Sequence, residues 1–396
     1  MVKSSEGEIK RVIFFYIFNE HGINSKHCLL SSTIMISYIN VSEDTPVSFN
    51  GWASSGNTIL KKFSYHPRPI GPKDVEIEIS HCSICGSDIH TITGGWGELT
   101  NGPCIPGHEI VGKVVATGKD SYHKIGDLVG VGAMVDACGE CDECKSGFDQ
   151  FCSKAAYTYN AAYKDGRGGN TYGGYADRIR VNSEYAFKIP SQISAAEAAP
   201  LLCAGITTYA PLKQNGAGPG MRVGVIGIGG LGHLAIQWAS ALNCDEVVAI
   251  STSDSKRDES KKLGATKFVN STKLEDMEAA AASMDLILCT SFDTDQDWDK
   301  LLALVANHGK MILLALPESP LKIDGFSLIP RGVSIGGSLI GGRKAVQEML
   351  DFAAEKNIRP LIEKMPMSDV NAAVKHMMKG YPRYRIVLET EAAAHV

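Results

Sequence analysis

Short apolar runs of strand length dominate the chain from about residue 49 to residue 188. Those at 75–79, 110–116, 128–131 and 175–181 are bounded by Gly, Pro and Asp, and they predict a β-rich or barrel-like domain. The texture changes after Pro200. An apolar run at 222–226 leads through glycines into a helical pattern at 231–242. Strands at 247–250, 267–269, 285–289 and 310–314 then alternate with helices near 255–263 and 298–305. That alternation predicts βαβ units and a parallel sheet. A helix at 345–355 and a short strand at 385–388 close the pattern and are free to fold back onto the first domain.

Residues 1–48 precede this pattern and read as an extension of unknown role. The apolar run at 12–18 follows Lys3, Lys10 and Arg11, in the manner of a secretory signal, but Glu20 and His21 end it and no small-residue cleavage pattern follows. Neither that run nor 28–39 reaches the roughly 20 apolar residues of a membrane span. An organelle-targeting role is the alternative to a loosely attached segment, and Glu6 and Glu8 weigh against it. A chain of 396 residues exceeds one ordinary core, so two domains are expected, one inserted in the other. With 39 basic and 44 acidic residues, well mixed, a nucleic-acid partner is excluded. A cytoplasmic location without membrane attachment is expected.

Cysteine placement sharpens the picture. Cys138, Cys141, Cys144 and Cys152 read C-x2-C-x2-C-x7-C within a lobe at 136–153. Four thiolates in one short loop close a tetrahedron around zinc. Such an ion has no vacancy and carries a net charge of about −2, so its role is to hold the lobe together. A nucleic-acid-binding zinc ribbon would separate its cysteine pairs and surround them with bases, whereas Asp136, Glu140, Asp142 and Glu143 flank these. A second set is dispersed: Cys85 in C-G-S-D-I-H, His108 and Glu109 in G-H-E, and Cys203 in L-L-C-A-G-I-T-T-Y. Singly these are weak signals, since a lone buried cysteine is usually a small hydrophobe. Together, two thiolates and an imidazole give zinc a neutral shell with a fourth position open. Glu109 is placed to take that position transiently, and Asp88 to accept a hydrogen bond from the free ring nitrogen of His108.

The turn Gly227, Ile228, Gly229, Gly230, Leu231, Gly232 reads G-I-G-G-L-G between the strand at 222–226 and the following helix. In that context the backbone can approach a pyrophosphate at the helix N-terminus. NAD-binding chains carry Asp or Glu about 20 residues on, for the ribose hydroxyls. Here the next strand ends in Ser251, Thr252 and Ser253, with Lys256 behind. Hydroxyls plus a cation suit a 2′-phosphate and so NADP(H). Asp254 speaks against this unless it serves to cap the next helix.

These motifs, with G-G-W-G, G-G-Y-A and R-Y-R-I-V-L, resemble the zinc-containing medium-chain dehydrogenase/reductase superfamily over about residues 51–388. Within it the chain is most similar to the cinnamyl alcohol dehydrogenase (CAD) group and its fungal NADP-dependent relatives. The resemblance implies an α/β protein: a GroES-like β-rich catalytic domain (49–196) split around a doubly wound Rossmann domain (197–337) and completed by a return segment (338–396). It implies a homodimer joined through the Rossmann sheet edges, and two zinc ions per subunit, one catalytic (Cys85, His108, Cys203, with Glu109 as alternate ligand) and one structural.

The implied reaction is hydride transfer between NADP(H) and a primary alcohol or aldehyde, bulky or aromatic, in the cleft between the domains. By resemblance, Thr207 touches the nicotinamide, Thr290 and Ala315 line the cofactor, Ser338, Leu339 and Ile340 lie near the ring, and Arg385 approaches the pyrophosphate. Trp96, Leu339 and Ile340 wall the substrate pocket. Ser87 hydrogen-bonds the substrate oxygen, and His90 relays its proton outward through the cofactor ribose. Zinc lowers the pKa of bound water from about 16 to about 7, worth on the order of 12 kcal/mol, so the metal rather than Ser87 is the principal catalyst. The alternatives are a polyol dehydrogenase of the same superfamily, which completes its zinc site without the Cys203 equivalent and prefers NAD, and a catalytically silent cofactor-binding protein. Two departures stand out. The first 48 or so residues have no counterpart in the family. Thr252 stands where fungal relatives carry Arg and plant members a serine run.

Overall fold

The structure, a computed structural model, describes residues 47–99, 102–291, 296–316, 320–380 and 382–396. All but the last two residues of the N-terminal extension lie outside these. No helix among the described residues is long and apolar enough to cross a membrane.

Six parallel strands form one sheet in the spatial order Lys267–Asn270, Glu246–Ser251, Arg222–Ile226, Met284–Cys289, Val305–Leu313, Ser334–Gly337. Sequences such as RVGVI, EVVAIS and MDLILC form central strands because helices cover both faces and nearly every side chain is buried. The chain leaves Arg222–Ile226 on one side for Glu246–Ser251 and later returns on its other side at Met284–Cys289. That reversal opens the crevice in which doubly wound sheets bind ligands.

Two expectations shift here. The helix read at 298–305 ends at Leu302, and Val305 pairs with Met284 at the start of a longer strand. That pairing precedes a register irregularity, which concealed the strand's true start. The sixth strand, Ser334–Gly337, went unread because its sequence SIGG carries no apolar alternation.

A seven-stranded sheet carries the β-rich part, its main path running Ile362–Pro366, Arg385–Glu389, Asp74–Ser83, Ile110–Thr117, Leu128–Val131, Ala186–Lys188, with Arg178–Asn182 also paired to Asp74–Ser83. The strand read at 175–181 therefore begins three residues later than expected. The return segment enters the middle of this sheet, with Val387 opposite Ser83, Leu388 opposite Cys82 and Glu389 opposite His81. Its helix, Arg343–Glu355, lies elsewhere. Val346, Met349, Leu350 and Ala353 form its buried stripe, at the spacing of one helical face, and join the cluster beneath the parallel sheet.

Candidate active site

Cys85 precedes the helix Gly86–Thr93, and its backbone N–H donates to Asp88 Oδ2 at 2.9 Å, which fixes the helix start and the direction of the cysteine. Asp88 is fully buried and collects further bonds from the Gly107 N–H (3.0 Å) and the Tyr175 hydroxyl (3.0 Å). Its Oδ1 lies 2.9 Å from His108 Nδ1, as the sequence suggested. With Nδ1 held there, Nε2 turns inward to 3.2 Å from Cys203 Sγ. Cys203 sits on a π-helical turn, Leu201–Gly205, between the helices Ala195–Pro200 and Ile206–Gln214. Such one-turn widenings recur at functional sites because they re-aim a side chain without ending the helix.

Donor atoms of Cys85, His108, Glu109 and Cys203 all lie within 4.8 Å of one another, and all four residues are buried. Two sulfurs, an imidazole nitrogen and a spare carboxylate suit tetrahedral zinc with an exchangeable place. The carboxylate itself supports that fit. Glu109 Oε1 accepts from Arg385 Nη2, while Oε2 is buried with no hydrogen-bond partner. Burial pushes the Glu109 carboxyl up to about 7, against the pull of Arg385. The Cys85 thiol is held well below its ordinary value, first by its hydrogen bond with Cys203 and then, against burial, by the His108 ring.

Three of the four ligand candidates, Cys85, His108 and Cys203, line a cavity of about 1200 Å³. Ser87, His90, Trp96, Thr207, Gly230, Leu231, Thr290, Ala315, Ser338, Leu339, Ile340 and Arg385 also line it. His90 stacks on Trp96, ring centroids 5.2 Å apart and nearly parallel. The wall further contains Phe151, Tyr157, Tyr159 and Met377, which the sequence reading missed. Tyr159 both faces the cavity and sets its hydroxyl 3.1 Å from His108 Nδ1. Its position in T-Y-N carried no spacing signal, since its partner lies 51 residues away.

Cys138, Cys141, Cys144 and Cys152 likewise bring their sulfurs within 4.8 Å of one another. No disulfide joins them. The Cys141 N–H points at Cys138 Sγ (3.4 Å) and the Lys154 N–H at Cys152 Sγ (3.3 Å), an arrangement that favours thiolates. Four sulfurs with no other donor in the set fit a closed structural metal site.

The glycine turn divides its labour. Gly227 has φ +84°, and a Cβ there would strike Ser291 Oγ. A Cβ on Gly232 would meet the Gly227 carbonyl oxygen at 1.8 Å, so glycine alone lets the helix pack against the strand. Gly229 faces open space, where a pyrophosphate needs room. Gly230 abuts Arg385. The Ile228 side chain is buried in the core, so only its backbone is available to a ligand. Thr290 Oγ1 donates to the carbonyls of Ile226 and Gly227, bracing the turn from the next strand.

Ser251, Thr252, Ser253 and Lys256 do not line the cavity; Ser251 ends the neighbouring strand, Glu246–Ser251, and the others follow it. The Asp254 carboxylate is engaged by Arg257 and Lys273, each at 2.8 Å, and they hold it at about 2. The helix cap expected of Asp254 comes from Ser253, whose Oγ accepts the Ser255 N–H.

Residues 71–191 match the family described as alcohol dehydrogenase GroES-like domain, and residues 230–355 that described as zinc-binding dehydrogenase. The chain belongs to the zinc-binding alcohol dehydrogenases. Like this family, it joins a GroES-like domain to a Rossmann-like one. Its place among the medium-chain dehydrogenases makes it an oxidoreductase. The alcohol dehydrogenase is 43% identical over 350 residues to the 8-hydroxygeraniol dehydrogenase of Catharanthus roseus, covering 87% of this chain and 95% of that one. It is 42% identical over 344 residues to a probable mannitol dehydrogenase of Fragaria ananassa, covering 86% and 94%. Among solved structures it is similar to the CAD from Helicobacter pylori complexed with NADP(H), at TM-score 0.80 and 35% identity, covering 87% and 98%.

Proposed function

We propose that this alcohol dehydrogenase uses NADP(H) to interconvert bulky or aromatic primary alcohols and their aldehydes at a zinc site formed by Cys85, His108 and Cys203. The convergence of these three with Glu109, beside a cavity that reaches the glycine turn, carries the reading. Glu109 is the alternate ligand, and Cys138, Cys141, Cys144 and Cys152 hold a second ion in a closed site. Bound in the open site, zinc supplies Lewis acidity toward the substrate oxygen, and the nicotinamide supplies hydride chemistry.

The chain's own residues do the positioning. Ser87 hydrogen-bonds the substrate oxygen, and His90, one helical turn further on, moves its proton toward bulk water. Trp96, Leu339 and Ile340 bound an apolar space that favours an aromatic or extended aldehyde. Thr207, Thr290, Ala315 and Ser338 border the nicotinamide half, while Arg385 against Gly230 is placed for the pyrophosphate. Ser251, Thr252, Ser253 and Lys256 take the 2′-phosphate, with Asp254 neutralised by its two cations. Residues 49–196 with 338–396 form the catalytic domain around 197–337. The exposed edge strand Ser334–Gly337, with exposed Phe326 and Ile329 a few residues before it in sequence, suits a homodimer.

The mannitol dehydrogenase relative makes a polyol the second substrate class. A panel of cinnamaldehyde, benzaldehyde and mannitol with each coenzyme separates the two. The expected result is aldehyde reduction by NADPH. Cys85→Ser should remain folded by circular dichroism and lose about a thousandfold or more in kcat/KM, given the several kcal/mol a metal contributes. Substantial turnover by that variant would refute the zinc assignment, and a preference for NADH would refute the coenzyme assignment.

A further inference from the structure

The cation at the 2′-phosphate position has an unusual support. None of the ion pairs among the described residues engages Lys256. Its ammonium instead lies over the ring of Tyr384, 4.3 Å from the centroid. Tyr384 is a residue of the return segment, 128 positions away in sequence and only 3% exposed. The same ring stacks on His233, centroids 4.9 Å apart, in the helix that opens on the glycine turn. The Tyr384 hydroxyl donates to Glu259 Oε2, and the Arg383 guanidinium reaches that oxygen at 2.9 Å. The Tyr384 N–H donates to the Leu361 carbonyl at 2.9 Å, so the ring is fixed at its backbone as well.

A carboxylate partner would fix a lysine but cancel its charge and compete with an incoming phosphate. An aromatic face attracts the ammonium without neutralising it. The nearby carboxylate, Glu259, has its Oε2 occupied by the hydroxyl and by Arg383. We infer that Tyr384 is a positioning residue for coenzyme selection: its ring holds the Lys256 ammonium beside Ser251 and Thr252, and its hydroxyl keeps Glu259 from pairing with that ammonium. The inference rests on the NADP(H) reading above and extends it to a residue outside the strand end that usually sets coenzyme choice.

The test is calorimetric titration of the full-length zinc enzyme with two fragments that lack nicotinamide, ADP-ribose and its 2′-phosphorylated form. Wild type should prefer the phosphorylated fragment; if it does not, the NADP(H) reading fails, whatever Tyr384 does. Given that preference, Tyr384→Leu should cut it about fivefold to tenfold, the range a lost cation–π contact supports, with ADP-ribose affinity held within about twofold. Tyr384→Phe keeps the ring but frees Glu259, and should lose about twofold to threefold, restored by adding Glu259→Gln. Lys256→Ala sets the limit, and Tyr384→Leu should cost little more in its presence. Equal weakening of both fragments in Tyr384→Leu would mark a purely structural role and overturn the inference. An unchanged preference in Tyr384→Leu, where Lys256→Ala loses it, would overturn it too. If Tyr384→Leu does not fold, Tyr384→Phe with and without Glu259→Gln decides: failure of Glu259→Gln to restore the preference refutes the inference.

Discussion

Two buried histidines, His108 and His233, are held in opposite ways. His108 has a carboxylate against Nδ1 and two sulfurs near Nε2. His233 hydrogen-bonds only backbone, under the stacked ring of Tyr384: Nδ1 lies 3.0 Å from the Gly229 carbonyl, and Nε2 accepts the Leu361 N–H at 3.2 Å. That fixes a neutral tautomer, and burial pushes His233 down to about 3. In the unfolded chain a histidine titrates near 6.5, so only the unfolded state takes up the proton between those values. Above about pH 6.5 His233 adds no pH dependence; below it, folding stability falls until the pH reaches the folded value. At pH 5 the loss is about 2 kcal/mol. Denaturant titrations of wild type and His233→Gln at pH 7 and pH 5 should therefore show the wild-type advantage shrinking by about that amount. A gap that stays constant would mean the ring is charged in the fold or exposed to water.

At the scale of elements, the four-cysteine lobe also shapes the cavity. Phe151 and Tyr157 flank Cys152 and line the cavity, and Ile340 packs against the lobe from the return segment. Cys144→Ser should remove one zinc per chain by elemental analysis, lower Tm by several degrees and raise KM for an aromatic aldehyde more than it lowers kcat. Unchanged metal content would count against the closed site.

Local chemistry explains what could be read in advance at this scale. The glycine turn needed only neighbours in sequence, and a strand of RVGVI before it sufficed to place it. The lobe's sulfurs likewise lie within fifteen residues. Cys203 was legible as a ligand candidate only in company with Cys85 and His108 and through the family motif, because nothing in L-L-C-A-G announces a π-helical turn. Tyr159 and Tyr384 were silent for a different reason: their roles arise from partners brought together by tertiary packing, at separations of 51 and 128 residues. The strand Ser334–Gly337 escaped because exposed glycines mimic a loop.

For the whole molecule, the exposed edge of the parallel sheet bears on assembly. Phe326 and Ile329, 83% and 82% exposed, shortly precede Ser334–Gly337 in sequence and add exposed apolar side chains near that stretch of the chain. Light scattering should find a particle of twice the 42.5 kDa chain mass. Ile329→Asp should shift it toward a single chain, whereas an unaltered dimer would place the interface elsewhere. The Glu109–Arg385 pair lies within the β-rich part and links the candidate metal shell to the arginine that abuts Gly230 of the glycine turn.

The insertion of Arg385–Glu389 beside Asp74–Ser83 also governs how the chain is made. A ribosome must add roughly 300 further residues after that partner strand emerges, about 15 to 60 s at about 5–20 residues per second. Throughout that interval the strand edge that later meets Arg385–Glu389, from the Ser80 carbonyl to the Ile84 N–H, presents unpaired backbone groups to whatever it meets. Nascent chains of this enzyme should lean on chaperones late in synthesis, and premature termination before Arg385 should yield inclusion bodies rather than a weakened catalyst.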